Sequence, residues 1–165
     1  MTAAAIVTCS LLLTLGAVAA FTDLRRGLIP NWLTLPPLLL VPPVQGLFLG
    51  PGALGSSLLG VFVCGAVPLM IFLRGGMGGG DVKLLAAIGA VAGARLGLEI
   101  QLTSYMIATL IALCTLAHRG HLLTTVAGAP RAVAGAASAS GAAIRLGLPV
   151  LLAIVAILGS HWVLP

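Results

Sequence analysis

The stretch from Gly27 to Leu73, GLIPNWLTLPPLLLVPPVQGLFLGPGALGSSLLGVFVCGAVPLMIFL, contains no charged residue. A helix needs about 20 mostly apolar residues to cross a bilayer, so this stretch is long enough for two spans. The run Met1–Thr22 is also uncharged and predicts another span. Composition agrees, because 60% of the chain is hydrophobic and 7% is charged, against roughly 25% charged in soluble domains. The sequence therefore predicts an all-α, polytopic membrane protein.

About six spans are predicted around this stretch, in a single domain covering residues 1–165. The spans are Ala3–Phe21, Trp32–Gly50, Leu54–Leu73, Asp81–Gly97, Ile100–Ala117 and Leu146–Leu164. The second span contains Pro36, Pro37, Pro42 and Pro43, and proline removes a backbone donor, so we expect this helix to be broken or bent. The segment His118–Arg145 is predicted to be a loose loop or an interfacial helix.

The basic residues predict the orientation of the bundle. Seven of the eight lie in loops on one side, namely Arg25, Arg26, Arg74, Lys83, Arg119, Arg131 and Arg145, and Arg95 lies on the other. By the positive-inside rule the seven are cytoplasmic, which leaves both termini outside. The pI near 10.1 does not indicate a nucleic-acid partner, because the charges are spread between spans instead of forming a patch. The expected surroundings are a lipid bilayer.

The acidic residues are only three, Asp23, Asp81 and Glu99. Glu99 is predicted in an outer loop, four residues after Arg95, as a solvated or paired surface charge. Asp23 ends the first span and Asp81 begins the fourth, so both are predicted at the cytoplasmic side, where ionisable groups are costly and usually functional. Two carboxylates that meet share a proton: one activates water while the other polarises a carbonyl. Each aspartate alone also has a structural explanation, because Asp23 could pair with Arg25 or Arg26 and Asp81 could be an ordinary N-cap.

Three glycines, Gly78, Gly79 and Gly80, precede Asp81. Because they carry no side chain, a second backbone can approach closely, and an extended substrate could bind there by main-chain hydrogen bonds. A flexible interspan loop is the alternative. A phosphate-binding loop is disfavoured, since Lys83 follows the aspartate and no Ser or Thr comes next.

No metal site or cofactor is predicted. His118 and His121 could share a helix face, but no nearby acid or cysteine completes a ligand set. The cysteines Cys9, Cys64 and Cys114 lie in separate apolar segments and form no CxxC pair.

Two motifs resemble those of the type IV prepilin peptidases. GGGDVKLLAAIGA is similar to the family's Gly-x-Gly-Asp motif through Gly78, Gly80 and Asp81. DLRRGLIPNWLTL resembles its first aspartate motif, with Asp23, Ile29, Pro30, Asn31 and Thr34 in place. Near the last span, ASASGAAIRLG keeps Gly141, Ile144 and Gly147 of a further family stretch but lacks its Pro and Tyr.

The resemblance implies an aspartyl endopeptidase of the inner membrane. Such enzymes cut the short basic leader from prepilin-like precursors of type IV pilus systems on the cytoplasmic side, just before the hydrophobic segment. Asp23 and Asp81 would be the catalytic pair. The expected substrate-binding residues are Gly78, Gly79, Gly80, Lys83, Pro30 and Asn31.

Departures from the pattern narrow the expectation. Larger members also methylate the new N-terminus and carry paired CxxC motifs, whereas this chain begins with a span, so no methyltransferase or zinc region is expected. It resembles the short, peptidase-only members of tight-adherence pilus systems. A non-enzymatic alternative is a transporter or pilus-assembly subunit whose aspartates bind protons or a cation. Intramembrane-cleaving relatives also use Gly-x-Gly-Asp, but DLRRGLIPN argues against them.

Overall fold

The computed structural model describes residues 3–118 and 146–163, and their regular structure is entirely helical. The helices are α1 (Ala3–Arg26), α2 (Asn31–Leu49), α3 (Pro51–Leu73), α4 (Gly79–His118) and α5 (Gly147–Val163). Residues 119–145 lie outside the described part, and with them the predicted positions of Arg119, His121, Arg131, Gly141, Ile144 and Arg145.

The helices are long and apolar enough for a multi-pass membrane protein. Among the described residues, α1, α2, α3 and α4 each satisfy the length and composition of a membrane span, and α5 contains a shorter apolar helix, Gly147–Ser160. The predicted all-helical class is therefore confirmed. The total of about six spans and the orientation of the termini stay predictions.

Helix α4 is a helical hairpin. Gly93 has φ 77° and ψ 176°, which interrupts the helix. A Cβ built at Gly97 would lie 3.1 Å from Cα of Gly89, although eight residues of continuous helix would separate these positions by about 12 Å. The chain therefore reverses at Gly93, so that a first arm (residues 79–92) lies beside a second arm (residues 94–118). The predicted turn between Gly97 and Ile100 is therefore wrong. The reversal lies at Gly93, and glycine tolerates the positive φ that it needs.

The position of the turn changes the setting of Glu99. Nε of Arg95 lies 3.5 Å from Oε1 of Glu99, one helical turn along the second arm. The predicted surface pairing is confirmed, but the predicted loop location of Glu99 is wrong. Because the Arg95 side chain is 96% exposed, this ion pair contributes little to stability.

Helices α1 and α2 also differ from the expectation. Helix α2 runs through all four of its prolines without interruption, so the predicted break is absent. Helix α1 continues past Phe21 to Arg26, which places Asp23 inside its last turns.

Helices α3 and α4 pack at a site that we call the glycine junction, formed by Gly60, Gly89 and Gly97. A Cβ added at Gly60 or Gly89 would collide with the carbonyl oxygen of the other residue. Small residues let helix backbones approach this closely inside a membrane. Next to the junction, the buried Oγ of Ser57 donates to the carbonyl oxygen of Ala90 at 2.6 Å.

The apolar core joins α1, both arms of α4 and α5. Its fully buried members include Leu12, Leu84, Leu85, Ile88, Ile100, Val150 and Ile154. Helix α5 runs antiparallel to α1, since Gly16 lies against Leu151 and Ile154 while Gly147 lies against Ala19. This pairing brings the start of α5 to the end of α1, where Asp23 is found.

Candidate active site

The two aspartates lie at the same end of the bundle. Asp23 lies in the last turns of α1 and is 5% exposed. Asp81 lies in the first turn of α4 and is partly buried. Their carboxylates are close enough for the two charges to interact. Residues far apart in the sequence thus share one site, because α1 ends where α4 begins.

Asp23 is held by the start of α5. The backbone N–H of Gly147 donates to its Oδ2 at 3.0 Å. The first amides of a helix have no partner inside the helix and carry the positive end of its dipole, so they suit a carboxylate. A Cβ at Gly147 would lie 2.8 Å from Cβ of Asp23 and 3.0 Å from the carbonyl oxygen of Ala19. Only glycine allows α5 to approach this closely.

Asp81 is held by its own helix start. Its carboxylate lies next to Gly78, whose backbone N–H is near enough to interact with it, and the N–H of Asp81 donates to the carbonyl oxygen of Gly78 at 3.1 Å. Because Gly78 has no side chain, only the half of a capping box in which the third helical residue reaches back toward the N-cap amide is possible here, and Asp81 is that residue. The predicted N-cap role of Asp81 is wrong, because α4 begins at Gly79 and Asp81 lies inside its first turn. Asp81 thus contacts Gly78 at the start of its own helix and also lies near enough to Asp23 for their charges to interact.

The three glycines before Asp81 have different neighbours. A Cβ at Gly80 would lie 3.1 Å from Cβ of Ile29 and near the Ile29 backbone. At Gly79 the nearest atom would be in the ring of Phe72, at 3.4 Å, and at Gly78 it would be Oδ2 of Asp81, at 3.2 Å. Gly80, in the first turn of α4, therefore makes the contact between the start of this helix and the segment after α1.

That segment carries the other predicted residues. Pro30 precedes α2 in an extended conformation, with φ −72° and ψ 144°, and Asn31 begins the helix. Nζ of Lys83 donates to Oδ1 of Asn31 at 2.9 Å. The structure thus brings together all eight residues that the sequence singled out, around the ends of α1, α2 and α4.

Neither aspartate forms an ion pair within the described residues. The expected pairing of Asp23 with Arg25 or Arg26 is not found among the described residues, and the Arg25 guanidinium carbon lies over the Phe21 ring, 4.3 Å from its centroid. In the described part of the chain, no cluster of three or more His, Cys, Asp or Glu residues could hold a metal ion. The described site thus contains two carboxylates, of which that of Asp23 is bonded to the backbone N–H of Gly147.

The sequence reasoning missed two features of this site. Gly147 was noted only through the resemblance, not as the partner of Asp23, and no local pattern connects the two. The second feature is Tyr105. It follows Gly93 by the same number of residues as Asp81 precedes Gly93, and its hydroxyl group is near enough to Asp81 to interact with the charge of the carboxylate. Gln101 Nε2 donates to this hydroxyl oxygen at 3.1 Å. A turn placed at Gly93 would have predicted that Tyr105 faces Asp81.

The fold and the site define a multi-pass helical membrane protein with a pair of buried or half-buried aspartates at one end. The sequence profile of the type IV leader peptidase family matches residues 9–118, and the chain belongs to this family. Membership supports a leader peptidase role in general. The matched region contains both aspartates and ends before Gly147. No curated protein and no solved structure matches the chain.

Proposed function

We propose that this protein is a membrane-embedded aspartyl endopeptidase that removes the short basic leader of prepilin-like precursors, with Asp23 and Asp81 as its catalytic pair. The observation that carries the proposal is that these two carboxylates lie at the same end of the bundle, near enough for their charges to interact, in a chain with only one other acid. Asp23 accepts the backbone N–H of Gly147, and its carboxylate keeps further acceptor positions for a shared water.

The pair works with one proton between its members, since neighbouring like charges disfavour double ionisation. The ionised carboxylate takes a proton from water, whose oxygen attacks the carbonyl carbon of the scissile peptide bond. The protonated carboxyl group hydrogen-bonds to the carbonyl oxygen and stabilises its developing charge. The C–N bond then breaks, and the leaving amine takes up a proton. No covalent enzyme intermediate and no cofactor enters these steps.

The glycines at the start of α4 support the placement of the substrate. Gly78 precedes the helix and is exposed, whereas Gly79 and Gly80 form its first two positions and are half-buried beside Asp81. The expected strand-like loop is therefore absent at Gly79 and Gly80, but the first amides of a helix have no partner inside the helix and can donate to carbonyl oxygens of a leader that passes between them and the segment Pro30–Asn31. The scissile bond would then lie between the carboxylates.

The charge distribution supports a cytoplasmic site in the inner membrane. Arg25, Arg26, Arg74 and Lys83 lie at the same end of the bundle as the aspartates, whereas Arg95 lies next to the Gly93 turn. Under the positive-inside rule the aspartates face the cytoplasm. A hairpin in α4 agrees with about six spans and two outer termini, because each arm then crosses separately.

The first experiment tests the catalytic pair. Purified Asp23→Asn and Asp81→Asn variants should lose cleavage of a synthetic prepilin-like precursor by about 10²- to 10⁴-fold, the usual contribution of a general acid or base. Glu99→Gln removes the remaining acid, which lies outside the site, and should leave cleavage unchanged. Wild-type rates in either aspartate variant would exclude the mechanism.

The pH dependence gives a second test. The rate should fall at low pH, where both carboxylates are protonated, and at high pH, where both are ionised, giving a bell-shaped profile. If the protein instead moves protons or cations across vesicles and leaves the precursor intact, the transporter alternative would replace the peptidase.

A further inference from the structure

Lys83 is a cation close in sequence to Asp81, yet its ammonium group contacts Asn31 and neither aspartate. Its Nζ donates to Oδ1 of Asn31 at 2.9 Å, and within the described residues it forms no ion pair with Asp23 or Asp81. Two residues correspond to about 200° around a helix, so Lys83 and Asp81 leave α4 in nearly opposite directions. Lys83 therefore does not neutralise the carboxylate pair.

A direct role in holding the leader also conflicts with its charge. On the proposed function, which this inference rests on, the leader is basic. A lysine ammonium would repel it, and like charges in a binding site act against binding. The observed contact with a neutral amide of the same chain gives Lys83 a different partner.

The contact joins the two segments that carry the aspartates. Asp23 is connected to Asn31 by a short turn, in which Gly27 has φ 63° and its N–H donates to the carbonyl oxygen of Asp23 at 2.8 Å. A displacement of Asn31 is therefore passed to Asp23. On the other side, Lys83 belongs to the same helical turn as Asp81.

The packing contact between these segments is less directional than the hydrogen bond. Gly80 packs against Ile29, but this is a van der Waals contact that sets closeness without fixing register. In the described part of the chain, the bond from Lys83 to Asn31 is the side-chain hydrogen bond between the two motif segments. Its donor is charged, which makes it stronger than a neutral bond in the same exposed setting.

We propose that Lys83 is a positioning residue, whose ammonium clamps Asn31 and thereby sets the separation of Asp23 and Asp81, and that it does not bind the leader. The Lys83–Asn31 clamp holds the start of α2 against α4. Its loss leaves both carboxylates present but poorly aligned with a shared water. Small misplacements of this kind reduce turnover more than binding.

Kinetics separate the clamp from a binding role. Lys83→Met keeps an unbranched apolar chain and should lower kcat by about 10- to 100-fold, with KM within about twofold. Lys83→Arg, which can still donate to Asn31, should recover part of the loss. A rise in KM with unchanged kcat would show that Lys83 binds the leader and would overturn the proposal.

A double-mutant cycle tests the partner. Asn31→Leu should reproduce the effect of Lys83→Met, and the double variant should be no worse than either single variant, because both remove the same bond. Arg74→Met is the matched control, since it removes an exposed basic residue at the same end without touching the clamp, and should leave kcat unchanged. Additive losses in the double variant would overturn the clamp.

A distance measurement tests the clamp without catalysis. Spin labels at Leu28 and Leu73, both exposed, would be introduced after replacing the three native cysteines with alanine. Leu73 ends α3, which packs on α4 through the glycine junction, so the pair reports movement of the segment before α2 relative to α4. Lys83→Met should broaden this distance distribution, and an unchanged distribution would overturn the clamp. If the wild type cleaves no precursor, the proposed function fails while this distance still decides whether the clamp exists.

Discussion

Two glycine-rich regions of this protein use the same residue for opposite purposes. In the glycine junction, Gly60 and Gly89 are buried, and a Cβ on either would strike the backbone of the other. At the start of α4, just before Asp81, Gly78 is exposed, and a Cβ on Gly79 would meet only the edge of the Phe72 ring. The first region uses the missing side chain to bring helices together. The second leaves room beside a carboxylate.

The difference shows that glycine content alone does not indicate a role. The second region is visible in sequence because its glycines are consecutive and next to an acid. The junction is assembled from α3 and both arms of α4, so its members are separated along the chain. Glycines at every fourth residue mark a packing face only on one continuous helix, and the reversal at Gly93 puts Gly89 and Gly97 on different arms, so their spacing did not predict the junction.

The largest expected effect is on the junction. Gly89→Val would place a branched side chain against the carbonyl oxygen of Gly60, which no rotamer change relieves, and should destabilise the fold by about 3 kcal/mol or more. The measurement is thermal unfolding and monodisperse yield in detergent. Gly55→Val is the control, because this α3 glycine has open space around it. Equal stability of the two variants would refute the close packing of α3 on α4.

Gly147 tests a position where close packing and the site coincide. Gly147→Ala would push Cβ into Asp23 and the Ala19 carbonyl, so the cleavage rate per folded molecule should fall by about 100-fold. Gly159→Ala is the matched control in α5, since nothing lies near its Cβ position. Full activity of Gly147→Ala would show that the start of α5 does not hold Asp23.

The smallest expected effects are at the start of α4, where alanine substitutions distinguish the neighbouring residues Gly79 and Gly80. Gly80→Ala must displace Ile29 and should reduce cleavage by about tenfold. Gly79→Ala meets the Phe72 ring at an ordinary contact distance and should have a smaller effect. If alanine is tolerated equally at both positions, the contact between Gly80 and Ile29 is unimportant for cleavage.

Much of the candidate site was predictable because its residues form short motifs. Asp23, Asn31, Gly80 and Asp81 were singled out from sequence, and the structure brings them to one end of the bundle. The clamp from Lys83 to Asn31 was not predictable, since lysine next to two acids suggests an ion pair. The turn was misplaced because Gly93 and Gly97 are equally plausible breaks until the packing of Gly97 on Gly89 is known.

The sequence by itself determined the class of this protein, because hydropathy and charge act residue by residue along the chain and require no knowledge of contacts. It also determined that two acids lie at helix ends, where a lipid environment tolerates them. Only the tertiary structure decided that the N–H of Gly147 holds Asp23, that Lys83 binds Asn31 and that α4 folds back at Gly93. These depend on distances between residues remote in the chain, which arise from how closely helix surfaces pack.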